Sequence, residues 1–162
     1  MESENSKEAN MSEPPKSYNT SEEIEEVVRK FETYAFDPSE FNHPEHLIVA
    51  LLYLRDSTEE EALERMRRSL FHFLAHHQVQ ENVYHETITL FWLKLVRRFL
   101  SQTDAARPLI EIANDLIQTH GDSPLIYSYF SKERLDSEAA RQRWIEPDLE
   151  PLNNALIPQA RR

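Results

Sequence analysis

The sequence predicts an all-α fold, a compact bundle of five to seven helices with an extended C-terminal tail. Three observations carry this. Apolar residues recur at three- and four-residue spacing through most stretches between the prolines. One glycine, Gly121, occurs in 162 residues, too few for the positive-φ turns of β proteins or the close phosphate approach of Rossmann and P-loop folds. Cysteine is absent, so a disulfide framework, a thiolate zinc site, an iron–sulfur cluster and a Cys nucleophile are all excluded. The length suits a single domain, and a hydrophobic content of 40% is enough for a packed core.

Each element follows from local signals. Residues 1–19, rich in Glu, Ser, Asn and Pro without apolar periodicity, are expected to be a disordered acidic tail, with one helical domain over 20–158. Thr20 and Glu23 form a capping box for a first helix over 21–35, whose inner face is Ile24, Val27, Val28, Phe31 and Ala35. Asn42 as N-cap and Pro44 in the first turn start a second helix over 43–55. Its run Leu47 to Leu54 is apolar on every side, which predicts a helix enclosed by others and packed against the fourth. Ser57 or Thr58 caps a third helix ending near His77, with Glu59, Glu60 and Glu61 on the positive end of its dipole. A fourth helix spans 83–102 with Ile88, Trp92, Leu95, Val96 and Phe99 inward. A fifth runs from Pro108 to Gly121. Shorter helices are expected from Ser123-Pro124 to Phe130 and from Asp136 or Ser137 to Ile145. The tail from Glu146 to Leu152 should drape over the bundle.

Composition limits function. Asp and Glu number 29 against 18 Lys and Arg, a formal charge of -11, and the basic residues are scattered in short groups. Nucleic acid is therefore not an expected partner. Mean hydropathy is -0.66, and no apolar run approaches ~18 residues, so a membrane partner is not expected either. The N-terminus has neither the apolar core of a signal peptide nor an Arg-rich amphipathic stretch, and a cytoplasmic protein is the expectation. The glycine count leaves no phosphate-binding loop, hence no nucleotide cofactor.

The seven histidines are the chemically informative residues. On a helical wheel at ~100° per residue, His85 falls on the core stripe with Thr89, Trp92, Val96 and Phe99, while Thr87 and Lys94 fall on the opposite side. Glu86 lies on the flank. His43 and His46, three apart on the second helix, share a face with Ala50 and Tyr53, and the small Ala50 leaves space beside the imidazoles. Three imidazoles with an open position suit a catalytic Zn²⁺ site, and with a carboxylate they suit Fe²⁺ or Mn²⁺. The expectation is a metal-binding bundle, either a metal-binding protein or a metal-dependent enzyme acting on a small molecule. His43, His46 and His85 would ligate a divalent metal, Glu86 would be a ligand or general base, and Tyr53 or Thr89 would orient a bound group. The alternative is a non-catalytic interaction or scaffold protein in which the same His and Glu residues form a buried hydrogen-bond network. His72 and His76 face solvent, His77 is structural, His120 ends the fifth helix, and Ser131 caps the turn before Lys132. Asp148 could pair with an arginine, close a pocket or simply be solvated.

Three blocks have a further reading. Phe41-Asn42-His43-Pro44-Glu45-His46-Leu47, Tyr84-His85-Glu86-Thr87-Ile88-Thr89, and Tyr129-Phe130-Ser131 through Glu146-Pro147-Asp148-Leu149 and on to Pro151-Leu152 together resemble a family of small uncharacterised bacterial all-helical proteins. The resemblance covers about residues 30–152, with the Tyr-His-Glu-Thr block its most specific part. It implies one bacterial helical domain and carries no substrate with it.

Overall fold

In the computed structural model, which describes residues 16–152, seven α-helices and three short 3-10 turns follow one another, and no strand is present among the described residues. The helices are α1 (Ser21–Glu32), α2 (His43–Asp56), α3 (Glu59–His76), α4 (Glu86–Ser101), α5 (Leu109–His120), α6 (Lys132–Leu135) and α7 (Glu138–Gln142). The 3-10 turns are Pro38–Glu40, Glu81–Val83 and Ser123–Ser128. The expected all-α bundle is thus the fold. Residues 1–15 of the expected tail and 153–158 of the expected domain lie outside the described residues.

Helix α2 is the axle. Its residues Leu47, Ile48, Val49 and Leu51 have no accessible surface, because α1, α3, α4 and α5 all pack on it, α4 most extensively. An all-round apolar helix buries every face only in such a position. The N-terminal segment joins this core earlier than the sequence suggests. Tyr18 is buried, and the Asn114 side chain grips its backbone, accepting from Tyr18 N–H at 2.8 Å and donating to Tyr18 C=O at 3.0 Å. Lys16 pairs with the buried Glu45 at 2.9 Å. Glu45 also accepts from the Asn42 N–H at the start of α2, at 3.0 Å.

Helix α4 separates two apolar clusters. On one side Leu93 and Val96 join the main core with α1, α2, α3 and α5. On the other, Phe91 and Leu95 pack against Ile126, Phe130, Leu135 and Leu152 from the short C-terminal elements. The second cover explains why Thr87, expected on a solvent side, is fully buried. Its hydroxyl donates to Arg143 C=O at 2.7 Å and accepts from Ile145 N–H at 3.3 Å.

Several boundaries differ from expectation, each for a local reason. Helix α1 stops at Glu32 rather than at 35, because Tyr34 takes a left-handed φ of 63° and Ala35 N–H bonds back to Lys30 C=O. Helix α3 ends the same way, with Gln78 at φ 60° and Val79 N–H on Leu74 C=O. Both are Schellman closures made without glycine. Gly121 has an ordinary φ of -75°. Glycine is needed there for close approach, since a Cβ would stand 2.3 Å from Ile117 C=O. The segment 123–128 is a 3-10 turn rather than an α-helix, and α7 ends at Gln142, leaving Trp144 and Ile145 outside it. Ser131 caps α6, as expected. Asp148 pairs with Ser131 rather than with an arginine, through Ser131 N–H at 2.8 Å and Oγ at 2.6 Å.

Candidate functional site

The largest change from the sequence reading is at His85. Helix α4 begins at Glu86, not at 83, so His85 is the N-cap, with φ -134° and ψ 110°. A helical wheel does not apply to a residue in extended conformation. The ring turns back over its own helix start: Nδ1 accepts from Ile88 N–H at 3.2 Å, and Nε2–H donates to Leu135 C=O at 2.8 Å. Both nitrogens are thereby committed, one to capping α4 and one to fastening α6. A histidine here does the work usually done by Ser or Asp.

Glu86 is committed elsewhere. Arg67 donates to it through Nε at 3.2 Å and also through Nη2, and Tyr84 Oη donates at 2.7 Å. Partial burial raises its pKa, but the Arg67 and Tyr84 bonds outweigh burial and hold the carboxyl below its ordinary range. It lines a cleft with Arg67, Tyr84 and Arg141, a different cleft from the one at His43. Tyr53 is also drawn away. Its hydroxyl bonds Glu32 and lies 3.2 Å from Ser69 Oγ, with the Arg65 guanidinium over its ring. Burial and the Glu32 bond push that phenol's pKa up. Among the described residues, no group of three or more His, Cys, Asp or Glu side chains is placed to hold one metal ion.

What the structure does bring together is the pair His43 and His46. They line a cleft of about 390 Å³ with Asn42, Ala50, Thr89 and Trp92, closed by the 3-10 turn carrying Ser123, Pro124, Ile126 and Tyr127. The Capping Glu45 and Pro44 set the first turn of α2, which places both imidazoles on one face. His43 Nε2–H donates to His120 C=O at 3.0 Å, leaving Nδ1 as a free acceptor, and its ring meets Trp92 edge-on at 4.3 Å. Burial lowers the pKa of His43 despite that carbonyl. His46 lies deeper, against Phe41 at 4.2 Å. Burial, helped by His43, pushes its pKa down to about 4, with no hydrogen bond to oppose the shift. Part of its ring nevertheless keeps accessible surface, where it faces the cleft.

Comparison with known protein families, curated proteins and solved structures returns no match to this chain.

Of the residues singled out from sequence, then, His43, His46 and Thr89 share this cleft, while His85, Glu86 and Tyr53 do not line it. Ala50 provides the space its size suggested. Trp92 falls on the predicted core stripe, and nothing in the sequence singles out Tyr127. Trp92 carries no signal distinguishing a cleft wall from core. Tyr127 reaches the cleft only through the tertiary placement of the 3-10 turn.

Proposed function

We propose that this chain is a small-molecule-binding protein whose site is the His43–His46 cleft and whose polar anchor is His46. The supporting observation is a half-buried imidazole to which no described residue hydrogen-bonds, facing a largely apolar cleft. The ring keeps accessible surface on its cleft side, so a ligand that hydrogen-bonds it takes the place of water there. Apolar clefts with few convergent polar groups are the usual form of small-molecule sites. The low basicity of His46 favours binding over proton abstraction near neutral pH.

A divalent metal is the second reading, favoured by one feature. His43 donates Nε2–H to a backbone carbonyl and keeps Nδ1 bare, the arrangement that metal-ligating histidines use. Zn²⁺, Fe²⁺ or Mn²⁺ would then sit on His43 and His46, with the remaining positions filled by ligand or water. His85 would instead keep its capping role, as in a buried network that fixes helix register.

Histidine-ring NMR separates these readings. The exposed pair His72 and His76 is first replaced by Ala to remove a surface metal site. Neutral small molecules are expected to shift the His46 ring signals and leave those of His85 unmoved. Zn²⁺ shifting His43 and His46 at stoichiometric amounts would favour the metal. Silence of both rings to small molecules and to metal would refute the site.

A further inference from the structure

We infer that the ligand is an uncharged, elongated and largely apolar molecule carrying a single hydroxyl or amide near mid-length; this rests on the binding-site reading above. The first support is what the walls lack. The chain is 29% charged, yet no Asp, Glu, Lys or Arg lines the His43–His46 cleft or its neighbour, a cleft of about 350 Å³ that also borders His46. A carboxylate, phosphate or ammonium bound there would be desolvated without a counter-charge, which is strongly unfavourable.

The second support is shape. The two clefts are of similar size and share Phe41, His46, Leu70, Ile88 and Thr89. His46 therefore borders both clefts rather than one alone. At the far sides the first cleft reaches Tyr127 and the second reaches Val83, which are 47% and 58% exposed. They are two of the three large apolar side chains exposed among the described residues. A ligand lying along both clefts would place an apolar arm on each side of His46 and cover both exposed side chains.

The third support is hydrogen-bond capacity. A neutral imidazole offers one donor and one acceptor, and a hydroxyl or an amide answers both. Thr89, the other polar residue that both clefts share, already has its hydroxyl hydrogen engaged. Thr89 Oγ1 donates to His85 C=O at 3.0 Å, and the His85 ring is bonded on both nitrogens.

Calorimetric titration of the full chain with four octyl compounds tests this: octan-4-ol, octan-1-ol, octanoate and octylamine. Octan-4-ol is expected to bind several-fold tighter than octan-1-ol, and each alcohol at least tenfold tighter than either charged compound. His46→Leu should bring octan-4-ol down to the level of octan-1-ol, and His46→Gln should restore part of the difference. Leu74→Trp, which narrows the second cleft alone, should weaken octan-4-ol more than octan-1-ol. Octanoate or octylamine binding as tightly as the alcohols overturns neutrality, while the binding site stands. Equal binding of the two alcohols overturns the mid-length placement, again leaving the site. Absence of binding by all four compounds, with neutral molecules also leaving the His46 ring signals unmoved, removes both the inference and the reading beneath it. The compound series needs no variant, so the outcome does not depend on a substituted chain folding.

Discussion

The two sides of α4 are held by different physics. Toward α2 the helix buries long aliphatic and aromatic side chains in a cluster drawn from α1, α2, α3 and α5. Toward the C-terminus it meets two helices, α6 and α7, of four and five residues, too short to be stable by their own hydrogen bonds. There, side chains reach for backbone. His85 bonds Leu135 C=O, Thr87 bonds Arg143 C=O, Arg134 bonds Glu146 C=O at 2.6 Å, and Arg141 bonds Asn82 C=O at 3.1 Å. Asp148 is clamped to Ser131 nearby, and Leu149 N–H bonds Tyr129 C=O at 2.9 Å. Area supplies the stability of the first side, and directed bonds supply the position of the second. The Tyr-His-Glu-Thr block is where the second kind concentrates, which makes it a fastener for the wall of the His43–His46 cleft, which none of its four residues lines.

Truncation on each side should expose this difference most strongly. Leu51→Ala removes a fully buried side chain from the α2 axle and is expected to cost about 2–5 kcal/mol. Hydrogen exchange should show α2 and α4 amides accelerated, while the local opening of α6 and α7 is unchanged. Thr87→Val keeps the shape but strands a carbonyl and an N–H, at about 1–3 kcal/mol. That change should speed exchange in α6 and α7 as well as globally. If Leu51→Ala loosens α6 and α7 directly, the two sides form one cooperative unit and the contrast collapses.

Acid should act on the site side first. His46 takes its proton at about 4 in the fold and near 6.5 when unfolded. Between those values the unfolded chain binds more protons, so stability falls as pH drops through that window. His43, His85 and His120 are lowered too and act in the same direction. Glu86 and Asp148, also lowered, lose their contributions only under more acid conditions, below the ordinary carboxylate range. Denaturant unfolding at a series of pH values should show His46→Leu with a flatter slope between pH 6.5 and 4 than the parent. An unchanged slope would mean that the His46 ring is solvated or partnered in the fold.

How much of this is legible in the sequence divides along the same line. The long elements were, because burial over three or more turns writes a periodic pattern, and α2 even announced that it would be enclosed. The short elements were not. Helix α4 starts three residues later than periodicity predicts because histidine is an uncommon N-cap, so His85, placed on the core stripe by the wheel, is instead a cap with both ring nitrogens bonded. Thr87 looked exposed because the wheel cannot know that a second cluster covers it. The pair His43 and His46 was found, since both lie inside one regular helix. Their cleft was only half found, through Ala50. Its other wall is a 3-10 turn set by contacts more than 70 residues away in sequence from His43.

The smallest expected effect tests a conformation rather than a contact. Tyr34 and Gln78 both occupy left-handed backbone at helix ends, where a side chain costs roughly 1 kcal/mol relative to glycine. Tyr34 offsets the cost by stacking on His76, with ring centroids 4.7 Å apart, so Tyr34→Gly should gain nothing. No comparable contact supports Gln78 among the described residues, and its N–H bond to Ala75 C=O at 3.1 Å is a backbone bond that glycine keeps. Gln78→Gly should therefore stabilise the fold by about 0.5–1 kcal/mol, read as a higher denaturation midpoint at unchanged slope. Because α3 ends in the main core, the gain should slow exchange in α2 and α4 while leaving the local opening of α6 and α7 where it was. A loss of stability would show that Gln78 makes a side-chain contact outweighing its backbone cost. Slower exchange in α6 and α7 would show that the C-terminal elements open only together with the core.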